Sequence, residues 1–150
     1  MLKLWRIREI VREWVIYIRK PYYSLYGFDI DKTAKISVRA NLDKAAPARI
    51  HIGAETYVAG GVLILAHDYS HARSADTYIG KRCFIGANAI ILPGIILEDS
   101  TIVGAGAVVS KSPGRGGVIL AGNPARIVRE GIVTKSHGMI VKPEDESSII

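Results

Sequence analysis

Apolar residues recur at every sixth position through the middle of the chain. The fourth position after most of them carries a compact side chain, such as Thr56, Cys83 or Ala107. A spacing of six is too long for one face of an α-helix and too regular for ordinary strands. It predicts a β-solenoid in which each hexad is a short strand and a turn, so that three hexads complete a triangular coil. The repeat comprises Ile52, Val58, Ile64, Ile79, Ile85, Ile91, Leu97, Val103 and Val109.

The repeat also predicts how such a fold is stabilised. The leading aliphatic residue of each hexad points into the prism and stacks on its equivalent in the next coil, about 4.8 Å away. A small residue such as Gly53, Gly80 or Gly86 commonly follows it, because the chain bends sharply there. A single coil cannot bury its own apolar edge, so stability comes from stacked neighbours.

The first twenty residues show helical spacing instead. Leu4, Ile7 and Val11 begin an apolar stripe, and Pro21 is predicted to end the helix. Six basic and two acidic residues give this segment a net charge of +4, out of +6 for the chain. We expect the helix to cover the first coil and shield its strand edge. The alternative is peripheral contact with an anionic membrane surface through residues 1–20. No helix-turn-helix, finger or interleaved aromatic-basic pattern indicates nucleic-acid binding.

The hexad repeat has a less regular segment on each side and is interrupted once. Residues 22–51 indicate an irregular first coil, the regular solenoid spans about 50–111, and residues 118–120 form a last strand. Fifteen residues separate Ile64 from Ile79, so residues 70–78 are predicted to leave the prism as a loop. Interruptions of a regular scaffold are where function tends to lie. The predicted units are a helix over 1–21, a β-helix domain over 22–128 and an extension over 129–150, with an acidic tail from Pro143. The first coil is assigned to Ile36, Val38, Leu42 and Ile50.

Composition fits one domain of 150 residues. Cys83 is the single cysteine, which rules out an internal disulfide, and its place in the repeat predicts an interior, structural thiol. No apolar run reaches the roughly 18 residues that span a bilayer. Charges interrupt residues 1–20 too often for a secretion signal, so a cytoplasmic location is expected.

His67 is the strongest candidate for catalysis. It stands at the start of the predicted loop, in the segment from Leu65 to His71. Asp68 follows it, at a position where most hexads have a compact side chain, so the hexad pattern is broken there. A neutral imidazole can accept a proton from a hydroxyl group near neutral pH. The sequence therefore predicts a general base at His67.

Two further patterns suggest ligand binding. Ala87 and Ala105 are eighteen residues apart, so they are predicted to lie above one another on consecutive coils. Small side chains there leave the backbone open to a long thin ligand, although tight turns explain small residues equally well. The turn from Gly122 to Arg126 is followed by Arg129, which is placed one helical turn further on. Two arginines can hold phosphates by charge-assisted hydrogen bonds.

With the segment from Val108 to Lys111, these features resemble the hexapeptide-repeat acyltransferases over about residues 50–129. The resemblance implies a left-handed parallel β-helix that works as a homotrimer, with each active site in a cleft between two subunits. It implies acetyl-coenzyme A as cosubstrate and no metal. His67 matches the family's base, and Ala87 and Ala105 match the backbone positions beside the coenzyme arm. The positions for the adenine nucleotide end are Ser110, Lys111, Arg126 and Arg129.

The resemblance further implies O-acetylation of a sugar or polysaccharide precursor, because N-acetyltransferases for amino sugars can dispense with a strong base. Phe84 stands where sugar acetyltransferases often have Trp, so an aromatic wall remains without an indole donor. Contacts with the acceptor are predicted for polar residues of the loop region, although a solvated loop explains these residues as well. They are Asp68, His71, Arg73 and Asp76.

Three other functions stay open at this point. A zinc site like that of the γ-class carbonic anhydrases would use His51, His67 and His71, since three imidazoles suit zinc. It would leave the Gly122 to Arg126 turn without a role. A sugar N-acetyltransferase and a non-catalytic solenoid scaffold are the other two alternatives.

Overall fold

The computed structural model describes residues 4–141, with side chains described for residues 4–11 and 21–141. One helix, α1 (Leu4–Tyr26), precedes a series of short strands. The strands are β1 (Asp29–Ile30), β2 (Lys35–Ile36), β3 (Asn41–Leu42), β4 (Ile50–Ile52), β5 (Tyr57–Val58), β6 (Leu63–Ile64), β7 (His67–Asp68), β8 (Arg73–Ser74), β9 (Thr77–Ile79), β10 (Phe84–Ile85), β11 (Ile90–Ile91), β12 (Ile96–Leu97), β13 (Ile102–Val103), β14 (Val108–Val109), β15 (Ile119–Ala121), β16 (Arg126–Arg129), β17 (Thr134–Lys135) and β18 (Met139–Ile140).

Three parallel sheets form the sides of a solenoid. Sheet A runs β1-β4-β9-β12, sheet B runs β2-β5-β10-β13-β15, and sheet C runs β3-β6-β11-β14. The chain visits the sheets in turn, so each coil contributes one strand to each. β16 pairs antiparallel with β15 and ends the stack on sheet B. The expected parallel β-solenoid is therefore present.

The predicted stacking of the hexad residues is confirmed. Ile52, Ile79 and Leu97 share one register in sheet A. Equivalent columns run Val58, Ile85, Val103 in sheet B and Ile64, Ile91, Val109 in sheet C. All nine side chains are buried, as are the compact residues four places after them. One of these is Cys83, as predicted, and burial raises the pKa of its thiol to about 11.

The first coil is more regular than predicted. Ile30, Ile36 and Leu42 are six residues apart and pair in register with Ile52, Val58 and Ile64. The prediction missed Ile30 and wrongly assigned Val38, which is 43% exposed. The reason is that Leu42 and Ile52 are ten residues apart instead of six, because a short 3-10 turn (Pro47–Arg49) lengthens the corner between them. The spacing of six therefore cannot be followed back from Ile52 into the first coil.

The prediction that Pro21 ends the helix is wrong, because α1 includes Pro21 and continues to Tyr26. Tyr23 is buried against Phe28 with ring centroids 5.8 Å apart, and the Phe28 N–H donates to the Tyr23 carbonyl. This packing against the first coil stabilises the helix beyond the proline. Residues 4–11, by contrast, are all exposed. Among the described side chains of α1, those near its C-terminal end pack on the solenoid. The residues that continue the predicted apolar stripe between positions 12 and 20 lie outside the described side chains.

The interruption between Ile64 and Ile79 is a hairpin with different bounds from those predicted. β7 and β8 pair antiparallel, while Tyr78 has already returned to sheet A opposite His51. Thr77 is fully buried at the corner, where its hydroxyl donates to the Leu65 carbonyl (2.7 Å). The chain therefore leaves the prism at His67 and rejoins it by Thr77, not at residue 78.

The C-terminal segment folds back onto sheet B. Arg129 lies on strand β16, so its predicted place one helical turn after Arg126 is wrong. The Thr134 hydroxyl donates to the Arg82 carbonyl (2.6 Å), and the His137 N–H donates to the Glu55 carbonyl (2.6 Å). The predicted acidic tail from residue 143 lies outside the described residues.

Candidate active site

His67 lies where the chain leaves sheet C. Its backbone follows β6, and its ring stands edge-on to Tyr69 with centroids 4.3 Å apart. The ring nitrogen Nδ1 is buried and has no hydrogen-bond partner in the part of the chain that the structure describes. A substrate would therefore have to meet the other nitrogen, Nε2.

Asp43 anchors the backbone at this point, and no pattern in the sequence singled it out. Its Oδ2 accepts the N–H groups of Ala66 (3.1 Å) and His67 (2.9 Å). Its Oδ1 accepts the N–H of Ala45, closing a turn of its own coil (2.9 Å). The proximity was hidden in the sequence because the lengthened corner before Ile52 obscures which residues of the first coil face the hairpin.

The polar residues of the hairpin bind mainly one another. Asp68 accepts hydrogen bonds from the Ser70 hydroxyl (2.6 Å) and pairs with His71 Nδ1 (2.7 Å), with Arg73 Nε at 4.0 Å. The bond from Ser70, followed by that from His71, holds the pKa of Asp68 well below its usual range. The structure thus brings together three predicted acceptor contacts as an internal network beside His67.

A second polar group holds the far end of the hairpin. Asp76 pairs with Arg49 (2.9 Å) and with His51 Nε2 (3.3 Å), while His51 Nδ1 faces Asp29 (2.7 Å). Burial opposes protonation of His51, but the hydrogen bonds to Asp29 and Asp76 outweigh it and raise its pKa. The ring also stacks on Tyr78, with centroids 4.2 Å apart.

This arrangement does not support the zinc alternative. Both ring nitrogens of His51 face carboxylates, which favours the imidazolium form over a metal ligand. Among the described side chains, those of residues 4–11 and 21–141, no group of three or more His, Cys, Asp or Glu is placed to hold a metal ion.

A cleft of about 680 Å³ lies at the C-terminal end of the stack. Ser110 and Lys111 follow β14 of sheet C, at the same corner as His67 and two coils further on. The β15–β16 turn closes the other side, since the Ala125 N–H donates to the Val108 carbonyl (2.8 Å). Lys111 and Arg126 are the charged residues of the lining, and the lining contains no carboxylate. The described lining is Ser110, Lys111, Ser112, Pro113, Leu120, Ala125, Arg126 and Ile127. Arg129 is not part of it.

Ala87 and Ala105 stack on consecutive coils, as predicted. The Gly106 N–H donates to the Ala87 carbonyl (2.8 Å), and both alanines are exposed. Gly86 has to be glycine here, because a Cβ on it would lie 2.6 Å from the backbone nitrogen of Ala105. The two alanines follow β10 and β13 of sheet B, so they lie at a different corner from His67.

Phe84 packs between a neighbouring coil and the C-terminal segment. Its ring stacks on Tyr57 at 5.6 Å between centroids, and Gly138 of the C-terminal segment packs directly against its Cβ. Its predicted contact with an acceptor stays a prediction, and in this structure the C-terminal segment covers it.

Comparison with known proteins gives a consistent set of relatives. A family model described as the hexapeptide repeat of succinyl-transferase matches residues 77–111. YvoF of Bacillus subtilis, which carries a provisional acetyltransferase name, is 32% identical over 71% of this chain and 63% of its own length. The galactoside O-acetyltransferase of Escherichia coli is 28% identical over 89% of this chain and 70% of its own length.

Solved structures show the same fold. The hexapeptide-repeat acetyltransferase VCA0836 of Vibrio cholerae aligns with a TM-score of 0.60 at 17% identity, covering 77% of this chain and 80% of its own. The same protein has been solved in complex with acetyl-coenzyme A, and this structure aligns with a TM-score of 0.50 at 23% identity, covering 69% of this chain and 64% of its own.

Proposed function

Because the chain belongs to the hexapeptide-repeat acyltransferase family, we propose that it transfers an acetyl group from acetyl-coenzyme A to a hydroxyl of a sugar or polysaccharide precursor. The observation that carries the proposal is the position of His67, which lies on the same corner of the solenoid as the cationic cleft. The family implies left-handed coiling. The galactoside O-acetyltransferase supports a sugar hydroxyl as acceptor.

His67 supplies the base in the proposed reaction. Its Nε2 takes the proton of the acceptor hydroxyl as the oxygen attacks the thioester carbonyl. Backbone N–H groups stabilise the oxyanion of the tetrahedral intermediate. The C–S bond then breaks, and the imidazolium returns its proton to the coenzyme thiolate. Cys83 takes no part, because burial raises its thiol pKa to about 11 and no covalent acyl-enzyme is required.

Coenzyme binding is assigned to the cleft and to the alanine shelf of Ala87 and Ala105. Lys111 and Arg126 supply the positive charge for phosphates, and Ser110 adds a hydroxyl. The coenzyme arm lies along the shelf, where both alanines are exposed. Arg129 contributes less in this proposal, since it lies outside the cleft lining.

The division of the site between two corners supports a shared active site. His67 follows sheet C and the alanine shelf follows sheet B, so one chain presents them in different directions. We propose a homotrimer in which His67 of one chain meets the shelf of its neighbour.

Mixing inactive His67→Ala and Ala105→Trp chains should restore activity in mixed trimers. Mixed trimers that stay inactive would place the whole site in one chain.

The decisive experiment is a direct assay of transfer. Purified protein is incubated with acetyl-coenzyme A and a panel of sugars, and the release of coenzyme thiol is followed. Hydroxyl-only sugars should be acetylated with His67 intact, whereas a preference for amino sugars would favour N-acetylation. Absence of thiol release with every acceptor, together with absence of coenzyme A binding, would contradict the proposal and favour a scaffold.

The N-terminal part of α1 is proposed to contact an anionic membrane surface. Leu4, Trp5, Ile7, Ile10 and Val11 are all at least 48% exposed, so the solenoid does not cover them. The net charge of +4 over residues 1–20 suits anionic headgroups. The described residues contain no helix long and apolar enough to cross a bilayer.

The protein should float with phosphatidylglycerol vesicles but not with phosphatidylcholine vesicles, and Ile7→Glu should abolish flotation. Equal flotation of that variant would contradict the proposal.

A further inference from the structure

Two aspartates occupy equivalent places in the first coil but differ in what they hold. Asp31 follows the partly buried Ile30 and Asp43 follows the buried Leu42, and each aspartate donates its N–H to the next coil at 2.9 Å. Each also accepts an N–H two residues on, from Thr33 at 2.8 Å and from Ala45 at 2.9 Å. Asp43 alone of the two extends its second carboxylate oxygen to the next coil, where it meets Ala66 and His67.

We propose that Asp43 is the positioning residue for His67, an inference that rests on the proposed transferase function. The N–H groups of Ala66 and His67 stand where the chain leaves sheet C for the hairpin, beyond the regular ladder of β6. Ala66 is fully buried, so its N–H needs an acceptor there. A carboxylate that accepts both N–H groups makes charge-assisted bonds and fixes two consecutive peptide planes.

The direction of the His67 side chain follows from this anchor. The Cα–Cβ bond is set by the backbone, and the His67 ring has no hydrogen bond at Nδ1 within the described chain to orient it instead. The ring also makes an edge contact with Tyr69, but that residue is itself 85% exposed. Loss of the Asp43 anchor would therefore displace the base, and a displacement of about 1 Å can cost about 100-fold in rate.

The test compares Asp43→Ala with two matched variants. Asp43→Ala should lower kcat by about 10- to 100-fold and leave coenzyme A affinity unchanged, because the cleft does not include Asp43. Asp43→Asn keeps an acceptor oxygen and should recover most of the rate. Asp31→Ala removes the equivalent turn bonds far from His67 and should leave kcat near the wild-type value. Equal kcat values for Asp43→Ala and Asp31→Ala would overturn the inference.

Hydrogen exchange separates this inference from the transferase proposal. The amides of residues 66 and 67 should exchange faster in Asp43→Ala than in wild type or Asp31→Ala, whether or not an acceptor is found. Wild-type protein without transfer activity would refute the proposed function, while faster exchange would still support Asp43 as the anchor of His67. Unchanged exchange at both amides would overturn the anchor itself, even in an active transferase.

Discussion

Two neighbouring coils have the same interior but different exteriors. The coil of β4, β5 and β6 and the coil of β9, β10 and β11 stack Ile or Val side chains in register, all at most 3% exposed. After Ile91 the chain reaches the next leading residue of the repeat, Leu97, in six steps. After Ile64 it takes fifteen steps to Ile79 and forms the hairpin that carries His67.

The difference shows that the solenoid separates stability from chemistry. β6 pairs with β11 and β4 pairs with β9 in unbroken register on either side of the hairpin. The insertion therefore leaves the stack intact, because each strand is held by the coils above and below it and not by the length of the corner. Residues outside the prism are free to serve the site.

The largest expected effect lies on the exterior of the interrupted coil. His67→Ala should lower turnover by about 10²- to 10⁴-fold, the usual contribution of a general base, with little change in coenzyme A affinity or melting temperature. His71→Ala is the matched control from the same hairpin, and it should mainly raise KM for the acceptor. Steady-state kinetics and coenzyme titration check both variants. Near-normal turnover without His67 would remove it from the mechanism.

A substitution in the interior of the prism should instead lower the stability of the fold. Ile91→Ala leaves a cavity in the stacked core and should lower the free energy of unfolding by about 2–5 kcal/mol. Ile96 is 45% exposed, so Ile96→Ala should change the free energy of unfolding by less than about 0.5 kcal/mol. Chemical denaturation measures both. Similar losses for the two variants would mean that the outer face of sheet A is covered, for example by another subunit.

The interior of the fold was predictable because the hexad period reports directly on side-chain direction. Ile85, Ile91 and Val103 repeat without interruption, so their burial and register followed from spacing alone. The period failed at lengthened corners. The step from Leu42 to Ile52 hid the first coil, and the step from Ile64 to Ile79 gave the presence of an excursion but not its ends.

Residues of the candidate site could be proposed from the sequence only where the residue type and its place in the repeat both indicate a chemical role. His67 stands at an interruption of the hexad repeat. Lys111 and Arg126 belong to segments that resemble the end of the solenoid in the hexapeptide-repeat acyltransferases. Asp43 showed no such signal, since it is one of two similar aspartates in its coil. Its role depends on a contact 24 residues away. Pro21 misled the prediction of the helix end because tertiary packing of Tyr23 outweighed local preference.

The cleft offers a sharper comparison between two arginines. Arg126 lines it, whereas Arg129 lies three residues further along β16 and outside it. Arg126→Ala should weaken coenzyme A binding by about 1.5–3 kcal/mol if the guanidinium contacts a phosphate, and Arg129→Ala should weaken it less. Calorimetric titration with coenzyme A and with its 3′-dephosphorylated form measures both losses. A larger loss for Arg129→Ala would indicate that the nucleotide lies along the outer side of β16.

The smallest expected effect concerns the junction between the hairpin and sheet A, where His51 lies between Asp29 and Asp76. The folded-state pKa of His51 is raised above 6.5, so its stabilising contribution is complete below pH 6.5 and is lost as pH rises through the folded value. The His51 bond lowers the pKa of Asp76 below 3.8, so that carboxylate stays ionised throughout this range.

The unfolding free energies of wild type and His51→Asn should therefore differ most below pH 6.5 and converge as the pH rises through the folded-state pKa of His51. The difference should be at most about 1 kcal/mol, because solvent screens partly exposed pairs. Asp76→Asn should reduce the pH dependence of the difference, since it removes one of the two carboxylates that favour the imidazolium. A difference that grows with pH would mean that His51 is bound as the neutral imidazole, and the ion pair at this junction would then be that of Arg49 with Asp76.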